Sequence, residues 1–260
     1  MKYIIVSKRQ ILLGLCAFLA LAIAVIGSVK VFAREERLLP IYCVECEEKK
    51  IAISFDAAWG NDDTEELIKI LAEYDVPATF FVVGAWVDKY PESVKQLHDA
   101  GHKIGNHSNS HPYMTKLSEK QMLAELTACN TKIANVTGEE PVLFRAPYGD
   151  YNNATIKTVE SVGMYTIQWD VDSLDWKDYG TDSIIKTVCG HKHLGNGSII
   201  LCHNGAKYTA SALARMIEQL KEAGYEFVPV SELIHKEDYY MDHEGRQIPY
   251  EEGGAETTSE

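Results

Sequence analysis

Basic residues are scarce in this chain. Against 38 Asp and Glu there are 25 Lys and Arg, a net charge of −13. Proteins that grip a phosphate backbone neutralise it with Lys and Arg, so this balance excludes nucleic acid as a partner. Paired cysteine motifs are scarce too. Cys43 and Cys46 form a single CxxC, without the second pair a zinc site needs and without a thioredoxin-like context. A local disulfide and two free thiols both stay open there. Cys16 falls in an apolar helix, and Cys129, Cys189 and Cys202 read as small packing residues. No signature of an organic cofactor is present.

Long uncharged runs are also missing, with one exception. Ile11 to Val29 holds 19 residues without a charge and with Ser28 as its one polar side chain. About 20 apolar residues cross a bilayer as a helix. Lys2, Lys8 and Arg9 precede the run, which places residues 1–10 in the cytoplasm and the rest outside. A transmembrane signal anchor over 11–29, with the folded domain outside the cell membrane, is one reading. A signal peptide cleaved near Val31-Phe32-Ala33, releasing a secreted protein, is the other. Residues 30–48 read as a linker. From Lys236 to Glu260 there are 8 acidic and 2 basic residues, and 234–260 reads as an acidic, disordered tail.

Between these ends, 49–233, short apolar runs alternate with amphipathic segments. Strands are expected at Ile51–Phe55, Ala78–Val83, Lys103–Gly105, Val142–Arg145, Met164–Gln168, Ser198–Cys202 and Tyr225–Val228. Helices are expected near Asp62–Glu73, Pro91–Ala100, Ser118–Val136 and Ala210–Ala223. Such alternation implies an α/β domain with a mainly parallel sheet: a single (β/α) barrel, or an open doubly wound sheet that spacing does not exclude.

The chemistry-bearing residues cluster where strands end. SFDAAWG (54–60), NHSNSH (106–111), FRAPYG (144–149), WDVDSLDW (169–176) and ILCHNG (200–205) each follow an apolar stretch. His107 and His111, four apart, face one ion if they share a helical turn. With carboxylates and a third histidine arriving from distant segments, the set points to metal-assisted hydrolysis.

The five runs, in this order, resemble the five motifs of the polysaccharide deacetylase family (NodB-homology domains, carbohydrate esterase family 4), over about residues 48–233. The SFDAAWG form after an apolar segment is most similar to the PdaB-like branch of spore-forming bacteria. The resemblance implies a distorted NodB-type barrel and an N-deacetylase of an N-acetylated cell-wall glycan, with peptidoglycan as substrate and a divalent metal, zinc by preference. It implies His107 and His111 as metal ligands, Asp56 as general base, and Arg145 as the partner that keeps the base ionised. It implies further that Tyr148 offers its backbone N–H to the oxyanion, that His203 is the general acid oriented by Asp175, and that Trp176 and Leu201 cradle the acetyl methyl. One position departs from the pattern: Ala57 stands where the family has a third, carboxylate ligand. Asp56, Asp62, Asp63 or water would have to complete the shell, although Asp62 and Asp63 also suit a helix N-terminus. Trp59 reads equally as a sugar platform and as a core residue. Ala57 keeps a rival reading open, a catalytically silent glycan-binding barrel. Hydrolysis of a small cyclic amide, chitin oligomers or O-acetyl esters also stays open.

Overall fold

The computed structural model describes residues 7–9, 11–18 and 36–250. The chain divides into two units, residues 1–37 and 38–260. In the first, residues 8–9 and 11–18 are helical (α1). Among the described residues no helix is long and apolar enough to cross a membrane. The remainder of the apolar run, 19–29, lies outside the described residues.

In the second unit, β2 (Lys50–Ala57) is the central strand. It pairs in parallel with β3 (Thr79–Val82) on one side and with β8 (Ile199–His203) on the other. Outward from β3 come β4 (Lys103–Asn106), β5 (Leu143–Phe144) and β6 (Tyr165–Thr166); outward from β8 comes β7 (Val171–Asp172), while β9 (Glu226–Phe227) adds to the start of β2. All of these pairs are parallel. Parallel strands need crossovers, and helices supply most of them: α2 (Thr64–Glu73), α3 (Gly84–Lys89), α4 (Pro91–Asp99), α5 (Glu119–Thr137), α6 (Asn153–Ser161), α7 (Thr181–Cys189) and α8 (Thr209–Glu222); α9 (Val230–Leu233) follows β9, the last strand of this sheet.

Side chains alternate faces along a strand, and the burial of β2 follows that rule. Ile51, Ile53, Phe55 and Ala57 belong to the core between sheet and helices, with Leu67 and Leu71 of α2 and Leu213, Ile217 and Leu220 of α8. The alternate residues face the concave side. There Ala52, Phe81, Leu143, Ile167 and Ile199 form an inner apolar cluster, and beyond it, toward the C-terminal strand ends, come the polar Ser54 and Asp56. The concave side is therefore oily at its base and charged at its rim.

The end strands β6 and β7 do not pair, so the expected barrel is an open half-barrel. Its seam is filled by the segment assigned to a linker. Ile41 bridges to Ile167 and Cys43 to Ser198, with Ile41 N–H donating to the Thr166 carbonyl (2.9 Å) and Val44 N–H to the Gly197 carbonyl (3.0 Å). Gly197, at φ 78°, has no room for a side chain: a Cβ would lie 1.7 Å from the Val44 carbonyl oxygen. Cys43 and Cys46 carry free thiols; Cys43 is buried in β1 (Cys43–Val44) and burial pushes its pKa up to about 12.

The acidic tail is corrected over 234–250; residues 251–260 lie outside the described residues. β10 (Tyr239–Met241) and β11 (Arg246–Pro249) form a hairpin whose β11 pairs with β1. Charge composition argues for solvation, but one buried amide overrides it. Gln247 is fully buried, accepts the His235 N–H (2.7 Å) and donates to the His235 carbonyl (2.6 Å). Leaving such groups unmet costs about 1–3 kcal/mol. Gln247→Ala should therefore lower the unfolding free energy by about 2 kcal/mol in urea titrations; unchanged stability would mean that this hairpin is not part of the fold.

Candidate active site

The residues assigned acid, base and orienting roles lie at or just beyond the C-terminal ends of strands. Asp56 ends the inward face of β2, His107 follows β4, Arg145 follows β5, Asp175 follows β7, and His203 is the last residue of β8. Parallel register places Asp56 beside His203 on the neighbouring strand.

Asp56 and Arg145 form the centre. Arg145 Nη1 donates to Asp56 Oδ1 at 2.8 Å. Its Nη2 donates to Ser54 Oγ (2.9 Å) and to the Gln168 carbonyl (3.1 Å). The guanidinium, wholly buried, lies 4.1 Å from the Phe81 ring centroid, a cation on an aromatic face. Burial alone would raise the Asp56 pKa, but the charges of Arg145, His107 and His203 and the Arg145 hydrogen bond outweigh it, and Asp56 lies below the ordinary carboxylate range. Ser54 carried no sequence signal, being a common residue in an apolar strand.

The histidine pair does not sit on a helical turn. The segment from His107 to Tyr113 is irregular, and Ser108 (φ 66°) and His111 (φ 59°) take left-handed backbone. Side chains hold this loop: Asn106 Oδ1 accepts the Ser108 N–H (2.7 Å), Ser108 Oγ accepts the His111 N–H (3.0 Å), and Glu125 of α5 accepts from Asn109 and Ser110. The two imidazoles still meet, with ring centroids 5.0 Å apart. His107 Nδ1 bonds the Arg145 carbonyl at 2.8 Å. A carbonyl only accepts, so Nδ1 carries the proton and Nε2 of the neutral ring presents its lone pair, 3.5 Å from Asp56 Oδ2. Burial lowers the pKa of His107, and burial with the neighbouring His107 lowers that of His111 to about 4, so both rings stay neutral near pH 7.

Neutral imidazoles with one nitrogen anchored are the form that binds a divalent ion, and an anchoring hydrogen bond on the other nitrogen is the usual support. His107 and His111 fit such an ion. A third protein ligand does not join them. Ala57 is fully buried on the helix-facing side of β2, Asp62 is exposed, and among the described residues no group of three or more His, Cys, Asp or Glu could hold a metal. Asp63 stands at the N-cap of α2, the helix N-terminus it was expected to suit, but its side chain makes no capping hydrogen bond. Its carboxylate accepts from Asn204 Nδ2 (2.8 Å) and the Gly205 N–H (2.8 Å) and so ties the β2 and β8 loops together.

His203 is held by Asp175, which is fully buried. Asp175 Oδ1 pairs with His203 Nδ1 (2.7 Å), while its Oδ2 accepts the His203 N–H (2.7 Å) and the Thr209 hydroxyl (2.6 Å). Burial works against the imidazolium, but the hydrogen bond and charge of Asp175, with Asp56 and Asp172, outweigh it and raise the His203 pKa. Asp170 and Asp172, without a role from sequence, are structural: Asp170 accepts from Ser198 Oγ and Ile199 N, and Asp172 from Leu174 N.

Tyr148 is 59% exposed in the turn after Arg145, at φ 60° and ψ 9°. Its ring stacks on Tyr113 and meets His111 edge-on. Asp150 pins the turn by accepting from Thr115 N and Oγ. Leu201 is buried two residues before His203 on the same face of β8, and Trp176 is exposed beside Asp175.

A half-barrel with an ionised carboxylate and an imidazole of raised pKa at one mouth defines a class of hydrolase built for acid–base attack by water. Comparison with known proteins narrows the class. The polysaccharide deacetylase profile matches residues 44–167. A peptidoglycan-N-acetylglucosamine deacetylase of Bacillus cereus is 37% identical over 192 residues, covering 72% of this chain and 89% of that one. Among solved structures, a CE4 family pseudoenzyme from Bacillus anthracis superposes with a TM-score of 0.72 at 31% identity, over 81% of this chain and 73% of that one. A mutant of that pseudoenzyme with restored enzymatic activity matches with the same TM-score at 34% identity, over 76% of this chain and 71% of that one. This chain belongs to the polysaccharide deacetylase family, hydrolases of carbon–nitrogen bonds other than peptide bonds.

The central ion pair makes a testable demand. Removing one partner of a buried pair leaves an unpaired charge, at about 3–5 kcal/mol. In the wild type the depressed Asp56 pKa adds stability above the unfolded value of 3.8, lost as pH falls through the folded pKa. In Arg145→Met burial dominates, the Asp56 pKa rises, and the sign reverses. Its deficit, about 3 kcal/mol at pH 7, should narrow on acidification to pH 5 in urea titrations; an equal deficit at both pH values would contradict the pairing.

Proposed function

We propose that this protein is an N-deacetylase of peptidoglycan, hydrolysing the acetamide of an N-acetylated sugar to acetate and a free amine. The single observation that carries this reading is the pairing of Asp56 with Arg145 and of His203 with Asp175 at one mouth, with their pKa values pushed in opposite directions. Two groups so separated serve as base and acid together. Ionised Asp56 takes a proton from the attacking water as its oxygen bonds the acetyl carbon. The Tyr148 N–H donates to the developing oxyanion. His203 then gives its proton to the nitrogen as the C–N bond breaks, and Asp175 steadies the ring. Leu201 and Trp176 line the side where the methyl group sits. A divalent ion, zinc by its fit to imidazole, would be held by His107 and His111 and would supply Lewis-acid polarisation of the acyl group.

The substrate rests on relatives whose names specify peptidoglycan. Attachment to the cell membrane through residues 11–29, with the folded unit outside the cytoplasm, rests on the apolar run and on Lys2, Lys8 and Arg9 before it.

A second reading, a glycan-binding barrel without turnover, is favoured by one observation: the family's third-ligand position is Ala57, fully buried among apolar residues. Acetate release from peptidoglycan fragments separates the two. The first predicts release by the full chain that is lost in Asp56→Asn and falls on metal stripping. No release by the wild type, with release gained in Ala57→Asp, would establish the second instead.

A further inference from the structure

Trp59 has no role so far. It stands in the loop leaving β2, three residues beyond Asp56, and is 46% exposed. Its indole lies over the His203 imidazole, with ring centroids 5.5 Å apart and planes 18° from parallel. Several contacts dictate this placement. The Gly60 carbonyl, next in the chain, accepts from Trp86 Nε1 (3.0 Å) and Asn204 Nδ2 (3.3 Å). Asp63 accepts from Asn204 and Gly205, and Thr64 Oγ1 donates to Asn204 Oδ1. Gly205 sits at φ 85°, and a Cβ there would come within 3.0 Å of Trp59 Cδ1 and 3.1 Å of Nε1. The two loops are thus laced together, and bare backbone meets the indole where a side chain would displace it.

We propose that Trp59 is a positioning residue for His203, seating the imidazole against Asp175 and stabilising its protonated form through the indole face. A cation within about 6 Å of an aromatic centroid is attracted by the ring quadrupole, most strongly for Trp. Asp175 fixes the in-plane edge of the imidazole; Trp59 fixes a face. The other groups acting on His203 are Asp56 and Asp172, which carry negative charge, and the neutral His107 and His111. These groups lie outside residue 59; burial, which works against the imidazolium, is kept in Trp59→Leu, so that variant isolates the aromatic face. That the seated imidazole acts as an acid rests on the function proposed above; its seating does not.

The test is the pH titration of the His203 ring resonances by NMR in the full chain, assigned by their loss in His203→Gln. Trp59→Ala should lower the midpoint by about half a pH unit, and Trp59→Phe should restore most of that fall. Trp59→Leu, which fills the seat without an aromatic face, should titrate like Trp59→Ala and serves where the alanine variant fails to fold. A midpoint in Trp59→Ala or Trp59→Leu equal to the wild type overturns the proposal. No turnover is needed for this reading. A chain that releases no acetate but shows the shift would remove the acid role and keep the positioning.

Discussion

The buried pair of Asp56 and Arg145 is the constraint around which the rest of the site is arranged. A carboxylate on the concave face of a sheet, closed to water, loses its charge unless a cation is held beside it. Arg145 is held by Ser54, the Gln168 carbonyl and the Phe81 ring. Its own carbonyl then fixes the tautomer of His107. Arg145 therefore governs the charge of the proposed base through its guanidinium and the orientation of the His107 imidazole through its main chain.

The fold makes this affordable by separating two environments along one concave surface. Ala52, Phe81, Leu143 and Ile199 fill the base of the half-barrel, and polar residues occupy its rim. The seam between β6 and β7 would otherwise open that base to solvent, and the segment around Ile41 and Val44 closes it. The β10–β11 hairpin holds the closing segment from outside through β1.

Much of this was legible in the sequence where the physical signal was local. The apolar run Ile51–Phe55 reads as a strand, and the stripe of Met122, Leu126 and Ile133 reads as a helix. The motif residues Asp56, His107, Arg145, Asp175 and His203 were identifiable because strand ends expose polar residues right after apolar runs. What could not be read depends on distant partners. The 234–250 segment looks solvated until Gln247 meets His235, and residues 41–44 look like linker until they meet a seam that no local pattern announces. The helical turn expected for His107 and His111 failed because Asn106, Ser108 and Glu125 pay the backbone's hydrogen bonds in a loop instead. Short elements such as α6, begun by an Asn152–Thr155 capping box within a polar stretch, carry too weak a periodicity to stand out.

Ala57 is the point at which the chain departs from its family, and its effect on catalysis turns on whether Asp56 and His203 work as a base and acid pair. The most direct measurement is the pH dependence of kcat/KM for acetate release from peptidoglycan fragments. The account predicts a profile whose acid limb lies below the ordinary carboxylate range, because Asp56 is depressed, and whose alkaline limb lies above pH 6.5, because His203 is raised. A rate that climbs through pH 7 to 9, or no acetate at any pH, would contradict it.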